Sequence, residues 1–118
     1  MVYQVYGIKT CDTVRKACKW LEAQGIQVER VDLRTTPPSR ELVTAWVANF
    51  GAKALKNTSG GAYRALPEEK KKWGEAEWIN AFSEDPMLIK RPVIVRDGTP
   101  LGVGFRGTEA ELQARLIE

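Results

Sequence analysis

Alternating apolar and polar residues at the start of the chain predict a β-strand over residues 2–6, which Gly7 ends. From Asp12 to Gln24 the small or apolar residues recur at intervals of three and four, the spacing of one stripe along a helix. The members of this stripe are Val14, Ala17, Cys18 and Leu21. A second alternating segment predicts a strand over residues 26–33. A strand, a helix and a strand in this order most easily place the two strands parallel.

The middle of the chain, residues 39–82, has a mostly helical pattern. One helix is predicted over residues 40–50, and two short helices broken near Gly74 are predicted over residues 67–82. A glycine pair indicates that residues 57–64 form a loop without helical or extended order.

The last third predicts two strands and a closing helix. Residues 92–95 form the short, wholly apolar run that is typical of a central strand. Asp97 and Gly98 then predict a hairpin turn, and residues 101–103 the returning strand. Residues 108–117 carry the pattern of a helix with a capped, acidic first turn.

This order of elements predicts a thioredoxin-like (glutaredoxin-like) α/β fold with a mixed four-stranded sheet. Residues 1–118 are expected to form a single domain, in which residues 39–82 are a helical insertion between the βαβ and ββα halves. A chain of 118 residues can bury a core without disulfides or a metal.

The composition limits the kinds of active site that the chain can form. With no histidine and two cysteines, the chain lacks the ligands for a zinc site and the base for a histidine-assisted triad, so we expect no metal and no bound cofactor. The net charge of +3 comes from interleaved charges and predicts neither direct nucleic-acid binding nor membrane binding. The first residues lack the pattern of a secretory signal, which predicts a cytoplasmic protein whose thiols are kept reduced.

Cys11 is the candidate nucleophile, because it lies just before the first predicted helix. The backbone N–H groups of Asp12, Thr13 and Val14, together with the helix dipole, would stabilise a thiolate there. Basic neighbours such as Lys9 would act in the same direction. The alternative is that Cys11 is a small apolar residue filling the corner between strand and helix. Its polar neighbours favour the reactive interpretation.

Cys18 is not expected to pair with Cys11. Seven helical residues separate two Cα atoms by about 10.5 Å, and a disulfide tolerates at most about 7 Å. Cys18 also lies in the apolar stripe, which indicates packing. Val14 occupies the position where a C-x-x-C motif would place its second cysteine, so a resolving thiol must come from glutathione or a partner protein.

Arg91 and Arg106 are a second group of candidate functional residues. Arg91 opens the predicted central strand and Arg106 precedes the last helix, so both guanidinium groups could meet at one end of the sheet and bind an oxyanion or a carboxylate. Two unrelated surface arginines are an equally good interpretation of the composition.

Three motifs resemble a known family. They are Y-G-I-K-x-C-D-T-x-x-K-A at residues 6–17, N-T-x-G-x-x-x-R at residues 57–64, and I-K-R-P-V-I-V at residues 89–95, followed by Gly104-Phe105. In this order they resemble the ArsC-related reductases, above all the YffB-like group, which is related to glutaredoxin-dependent arsenate reductases and to the Spx regulators. The resemblance spans essentially the whole chain.

The resemblance implies that Cys11 matches the catalytic cysteine and that Pro92 matches a cis-proline facing it. It also implies that Arg91 and Arg106 match two of the three arginines that hold the oxyanion in arsenate reductases. Besides Cys11, the residues predicted to bind the substrate or glutathione are Lys9, Asp12, Thr13, Val14, Arg64, Arg91, Pro92 and Arg106.

The third arginine of the family belongs in the N-T-x-G loop, where this chain has Ser59, and Arg64 in the same loop is a candidate for the missing charge. The resemblance to the YffB-like group implies thiol reduction that depends on glutathione or glutaredoxin, and this is the predicted function. A small thiol or an oxyanion would be the substrate, and an extended thiol peptide would pair with a free backbone edge at Pro92. The alternatives are an arsenate reductase proper, a decayed scaffold, and an Spx-like regulator that binds RNA polymerase, although Val14 removes the C-x-x-C switch common in Spx.

Overall fold

The structure of residues 2–118, a computed structural model, has the mixed α/β architecture predicted from the sequence. The strands are β1 (Val2–Gly7), β2 (Gln27–Asp32), β3 (Val93–Arg96) and β4 (Thr99–Val103). The helices are α1 (Asp12–Ala23), α2 (Arg40–Phe50), α3 (Ala52–Leu55), α4 (Gly61–Arg64), α5 (Glu75–Glu84) and α6 (Glu109–Leu116), with short 3₁₀ turns at Lys70–Lys72 and Pro86–Leu88.

The chain divides into two compact units. Residues 2–32 and Arg91–Glu118 form one, called here the sheet unit, and Leu33–Lys90 form the other, called the helical unit. In the sheet unit the strand order is β2-β1-β3-β4. β1 runs parallel to β2 and antiparallel to β3, and β3 runs antiparallel to β4. The predicted thioredoxin-like sheet is thus confirmed.

The hairpin between β3 and β4 turns at the predicted dipeptide. Asp97 and Gly98 both have positive φ, 47° and 85°, as a two-residue type I′ turn requires. Asparagine, aspartate and glycine tolerate this region best, which explains why the sequence signals the turn so clearly.

One face of the sheet packs against α1 and α6. The whole predicted stripe of α1 is buried there, together with Tyr3 and Val5 of β1 and Ile94 of β3. The Tyr3 hydroxyl donates a hydrogen bond of 2.6 Å to the Leu116 carbonyl oxygen, so the last helix is fixed to the first strand. The hydroxyl of this buried tyrosine therefore has a hydrogen-bond partner.

In the helical unit α2 packs against α5, and the aromatic side chains of Trp46, Trp78 and Phe82 are buried. α5 begins directly after Gly74, which confirms the predicted break between two short helices.

The prediction that residues 57–64 have no regular order is wrong for their second half, which forms α4. Gly60 lies just outside this helix in an extended conformation, and the Arg64 N–H donates to its carbonyl oxygen at 3.1 Å. The glycine pair therefore marks the start of a short helix rather than a disordered loop.

Within residues 2–118, no helix is both long and apolar enough to cross a bilayer. The same residues contain no cluster of three cysteine, aspartate or glutamate side chains that could hold a metal ion.

Candidate active site

Three chain segments meet at one edge of the sheet. Tyr6 near the end of β1 pairs with Val93 at the start of β3, and Val93 pairs with Val103 at the end of β4. One residue beyond this pairing, the Gly104 N–H donates to the Pro92 carbonyl oxygen at 2.8 Å. The loop after β1, the segment before β3 and the loop after β4 consequently leave the sheet from the same edge.

Cys11 lies at the end of the first of these segments and immediately before α1. Its N–H donates to the Ile8 carbonyl oxygen and its own carbonyl oxygen accepts from the Arg15 N–H, both at 3.2 Å. The second bond is the first one of the helix, so Cys11 is the N-cap residue. Its side chain is half-buried and packs against the core cluster of the sheet unit, and its thiol is free. It combines the packing of a corner residue with the partial exposure that a nucleophile needs.

The helix N-terminus acts on Cys11 through its dipole rather than through a hydrogen bond. The N–H groups of Asp12, Thr13 and Val14 precede the first helical hydrogen bond, as predicted, and an anion at Cys11 would lie at the positive end of the dipole. In the described part of the chain, however, the Cys11 side chain accepts no capping hydrogen bond. Its extended conformation, with φ −88° and ψ 117°, is that of an ordinary N-cap residue.

The basic residues near Cys11 contribute unequally. The Arg15 guanidinium forms an ion pair with Asp12, so its charge is largely balanced. Lys9 and Lys16 are exposed. The charges of these two lysines are therefore screened by solvent.

The Arg91-Pro92 peptide bond is cis, as the resemblance implies. Pro92 is buried and Arg91 is half-buried at the entry of β3. The free backbone edge expected at Pro92 is absent on the β4 side, because the hydrogen bond from Gly104 occupies the Pro92 carbonyl oxygen.

Arg106 is exposed in the loop between β4 and α6. The Arg115 guanidinium donates to the Arg106 carbonyl oxygen at 3.4 Å, which fixes this loop to α6. Arg91 and Arg106 thus belong to the segments that leave the sheet at the Cys11 edge. That their guanidinium groups form a shared cationic site stays a prediction.

Ser59 and Arg64 lie in the helical unit. The Ser59 hydroxyl donates to the Asn57 side-chain oxygen at 3.5 Å, and Arg64 is exposed at the last position of α4. The structure describes them within that unit, and a role for Arg64 at the Cys11 site stays a prediction.

Cys18 is fully buried in the core cluster, which confirms that it packs rather than reacts. Burial raises the pKa of the Cys18 thiol; the nearby Arg30 opposes this shift in part, and Glu22 adds to it. A thiolate is therefore disfavoured at Cys18.

The sequence predicted that Gly7 ends the first strand, but the structure gives this residue a different role. It is the last residue of β1, paired with Asp32, so the strand continues through it. A Cβ atom at Gly7 would lie 2.4 Å from a methyl carbon of Val14. The absence of a side chain allows the first turn of α1 to approach the end of the strand, and this positions Cys11.

Sequence reasoning also missed Arg30 and Val31 of β2. They line a cavity beside the loop between β1 and α1, called here the Cys11 loop, together with Lys9. The available signal was the predicted parallel pairing of β1 and β2, which brings the carboxyl ends of both strands to the same edge.

Comparison with known proteins agrees with this geometry. Residues 6–112 match the family model described as "ArsC family". The solved structure of a YFFB protein superposes with a TM-score of 0.84 at 35% sequence identity, over 97% of this chain and 98% of that one.

Two curated relatives have different functions. An arsenate reductase of Escherichia coli is 29% identical over 100 residues, which cover 83% of this chain and 69% of that protein. The global transcriptional regulator Spx of Streptococcus mutans is 27% identical over 110 residues, which cover 91% of this chain and 77% of the regulator. The chain is therefore similar to both an enzyme and a regulator.

Proposed function

The chain belongs to the ArsC family, and from this membership we propose that it is an oxidoreductase with Cys11 as its single nucleophile. The observation that carries the proposal is the position of Cys11. It is half-buried at the N-terminus of α1, and its loop leaves the sheet at the edge from which the Arg91-Pro92 and Arg106 segments also leave.

The proposed reaction is the reduction of a small disulfide in three thiol–disulfide exchanges. The Cys11 thiol loses its proton to solvent and the thiolate attacks one sulfur of the substrate. The substrate S–S bond breaks, a mixed disulfide forms on Cys11, and the other half leaves as a thiolate that takes up a proton. A glutathione thiolate then attacks the Cys11 sulfur of the mixed disulfide; its S–S bond breaks, the second half of the substrate leaves as a thiolate that takes up a proton, and a Cys11–glutathione disulfide forms. A second glutathione thiolate attacks the glutathione sulfur of that disulfide and releases oxidised glutathione and the Cys11 thiolate. One disulfide and two glutathiones thereby give two thiols and oxidised glutathione.

The need for an external thiol follows from Cys18. It is the only other cysteine in the sequence, and it is fully buried in the core cluster. It cannot reach Cys11 while α1 is intact, since they lie about two helical turns apart. Glutathione or glutaredoxin is therefore the proposed reductant, and the reducing cytoplasm the proposed compartment.

Arg91 and Arg106 would orient the anionic groups of the reactants. A guanidinium binds a carboxylate in a bidentate manner, and glutathione carries two carboxylates. The same cations would favour an arsenate-like oxyanion. Ser59, at the position where the resemblance expects a third arginine, makes the disulfide the better substrate, because a disulfide needs no oxyanion cage.

Turnover of bis(2-hydroxyethyl) disulfide with glutathione, coupled to glutathione reductase and NADPH oxidation, tests the proposal. We expect activity above the uncatalysed rate, and its loss in Cys11→Ser. Cys18→Ala is the matched control, because it removes the buried thiol from the stripe without adding a polar group. Full turnover by Cys11→Ser would refute the mechanism.

An Spx-like regulator is the second candidate, favoured by the 27% identity to Spx over 91% of this chain. Val14 weighs against it, since it leaves Cys11 without the second cysteine of a C-x-x-C switch. Stoichiometric capture of RNA polymerase subunits by the tagged protein, together with no coupled turnover, would support the regulator instead.

A further inference from the structure

A cavity of about 300 Å³ lies in the sheet unit, beside the Cys11 loop. It is open to solvent on one side and is lined by the carboxyl ends of β1 and β2, the residues that follow β1, and the first turn of α1. Its volume is at the lower end of the range of about 300 to 1,000 Å³ for small-molecule sites. Cys11 is not among its lining residues, but Lys9 and Val14 are, so the cavity lies next to the proposed thiol site.

The floor of the cavity is apolar. It is formed by Val5, Ile8, Val14 and Val31, and Gly7 contributes backbone without a side chain. Val5 has no exposed surface, so the half-buried Val31 and the small exposed parts of Ile8 and Val14 are the apolar surface that a ligand can contact. An aliphatic or aromatic group placed on this floor would be removed from water, which is favourable in proportion to its apolar area.

The rim of the cavity is mainly cationic, with Lys9, Arg15 and Arg30 against the single carboxylate of Asp32. The basic surface continues along α1, since Lys16 and Lys19 line a neighbouring depression with the same two arginines. A low-dielectric floor with a rim of one predominant sign concentrates ions of the opposite charge.

The three rim cations differ in their partners. Arg15 forms an ion pair with Asp12. Arg30 lies 3.5 Å from the Glu22 carboxylate, and both of these side chains are 56% exposed, which makes the pair weak. Lys9 makes no ion pair or hydrogen bond with residues 2–118. It is therefore the cation on the rim that is available to a ligand.

We propose that this cavity binds a small carboxylate that carries an aliphatic or aromatic body. The body lies on the valine floor and the carboxylate meets Lys9 at the rim. Glutathione is polar along its whole length and matches this floor poorly. The cavity adjoins the proposed thiol site, because Lys9 and Val14 are also predicted to bind the substrate or glutathione there, but its ligand would bind equally well to a protein that turns over no disulfide.

Titration of the ¹⁵N-labelled protein with hexanoate, followed by ¹H–¹⁵N correlation spectra, tests the proposal. We expect saturable shifts confined to the amides around Gly7, Lys9 and Val31, with a Kd in the millimolar range. Hexylamine, which has a similar body and the opposite charge, should produce no saturable shifts. Lys9→Met should weaken hexanoate binding about two- to fivefold, the size of one exposed ion pair.

Two further variants make the test specific. Lys16→Met removes the same charge from a position outside the cavity lining and should leave the affinity unchanged. Val31→Phe fills the cavity from its half-buried strand and should abolish binding, while the dispersion of the spectrum reports that each variant is folded.

Four results would overturn the proposal. The first is the absence of saturable shifts up to about 50 mM hexanoate, which is roughly tenfold above a millimolar-range Kd. The others are equal binding of hexylamine, an unchanged affinity of Lys9→Met for hexanoate, and tighter binding of glutathione than of hexanoate to the same amides. None of these results depends on coupled turnover, so failure here is distinguishable from failure of the proposed oxidoreductase activity.

Discussion

Cys11 and Cys18 lie at the start and in the middle of the same helix, yet their surroundings give the two thiols different chemistry. Cys11 is half-buried at the N-cap position. Cys18 has no exposed surface, and burial raises the pKa of its thiol because a thiolate there would lose its hydration. Of the two thiols, Cys11 is therefore the one that a reagent in solution can reach.

Alkylation with iodoacetamide should separate the two residues. Near pH 8 the native protein is expected to gain one carboxamidomethyl group, on Cys11, and a second only after denaturation. Mass spectrometry of the intact protein and of its peptides measures both. Cys18→Ala should still gain one group and native Cys11→Ser none. Two groups on the native wild-type protein would contradict the burial of Cys18.

Among the secondary-structure elements, the contact between β1 and α1 sets the position of Cys11. β1 ends at Gly7 and α1 begins at Asp12, and the Val14 side chain of the first helical turn packs against the Gly7 backbone. The helix N-terminus is thus brought to the end of the strand by the absence of one Cβ atom.

Gly7→Ala is therefore expected to destabilise the protein by about 1 to 3 kcal/mol, the usual cost of overpacking, because its Cβ atom would lie 2.4 Å from a Val14 methyl carbon. Urea denaturation measures the change. Combining Gly7→Ala with Val14→Ala should cost less than the sum of the two single changes. Gly61→Ala is the control, since its Cβ atom would meet nothing within 4 Å at the first position of a helix. Equal destabilisation by both alanines would contradict this interpretation.

Local patterns predicted most elements because each of these elements carries its own signal. The stripe of α1 and the Asp97-Gly98 turn depend on residues close together in sequence. The order β2-β1-β3-β4 was predicted only as a thioredoxin-like arrangement, since it depends on pairings between residues almost ninety positions apart, such as Tyr6 with Val93.

The features of the candidate site likewise divide into those that a local sequence pattern predicts and those that depend on pairing between distant residues. Cys11 and Pro92 could be found from short motifs. The cavity could not, because its floor is completed by Val31, which the parallel register places beside Tyr6. Helix α4 was missed because a glycine pair weakens a helix in its interior but not at its first position and N-cap.

For the whole molecule, the absence of histidine means that no imidazole assists the proposed chemistry. The Cys11 proton must leave to solvent, and the protein contributes position and electrostatics. The groups whose pKa values the fold raises are instead two buried acids of the sheet unit, Tyr6 and Cys18. For Tyr6 the causes are burial first and the Glu29 carboxylate second.

Both shifts predict that the free energy of unfolding falls in alkali. A raised pKa means that the unfolded chain loses its proton first, so the contribution of each group is fully present below its unfolded pKa and is lost as the pH rises through the folded one. The loss should begin above about pH 8.5 for Cys18 and above about pH 10 for Tyr6. Urea midpoints measured from pH 7.5 upward test this. Cys18→Ala should flatten the first part of the decline and Tyr6→Phe the second, and a wild-type midpoint that stays constant up to about pH 11 would contradict both assignments.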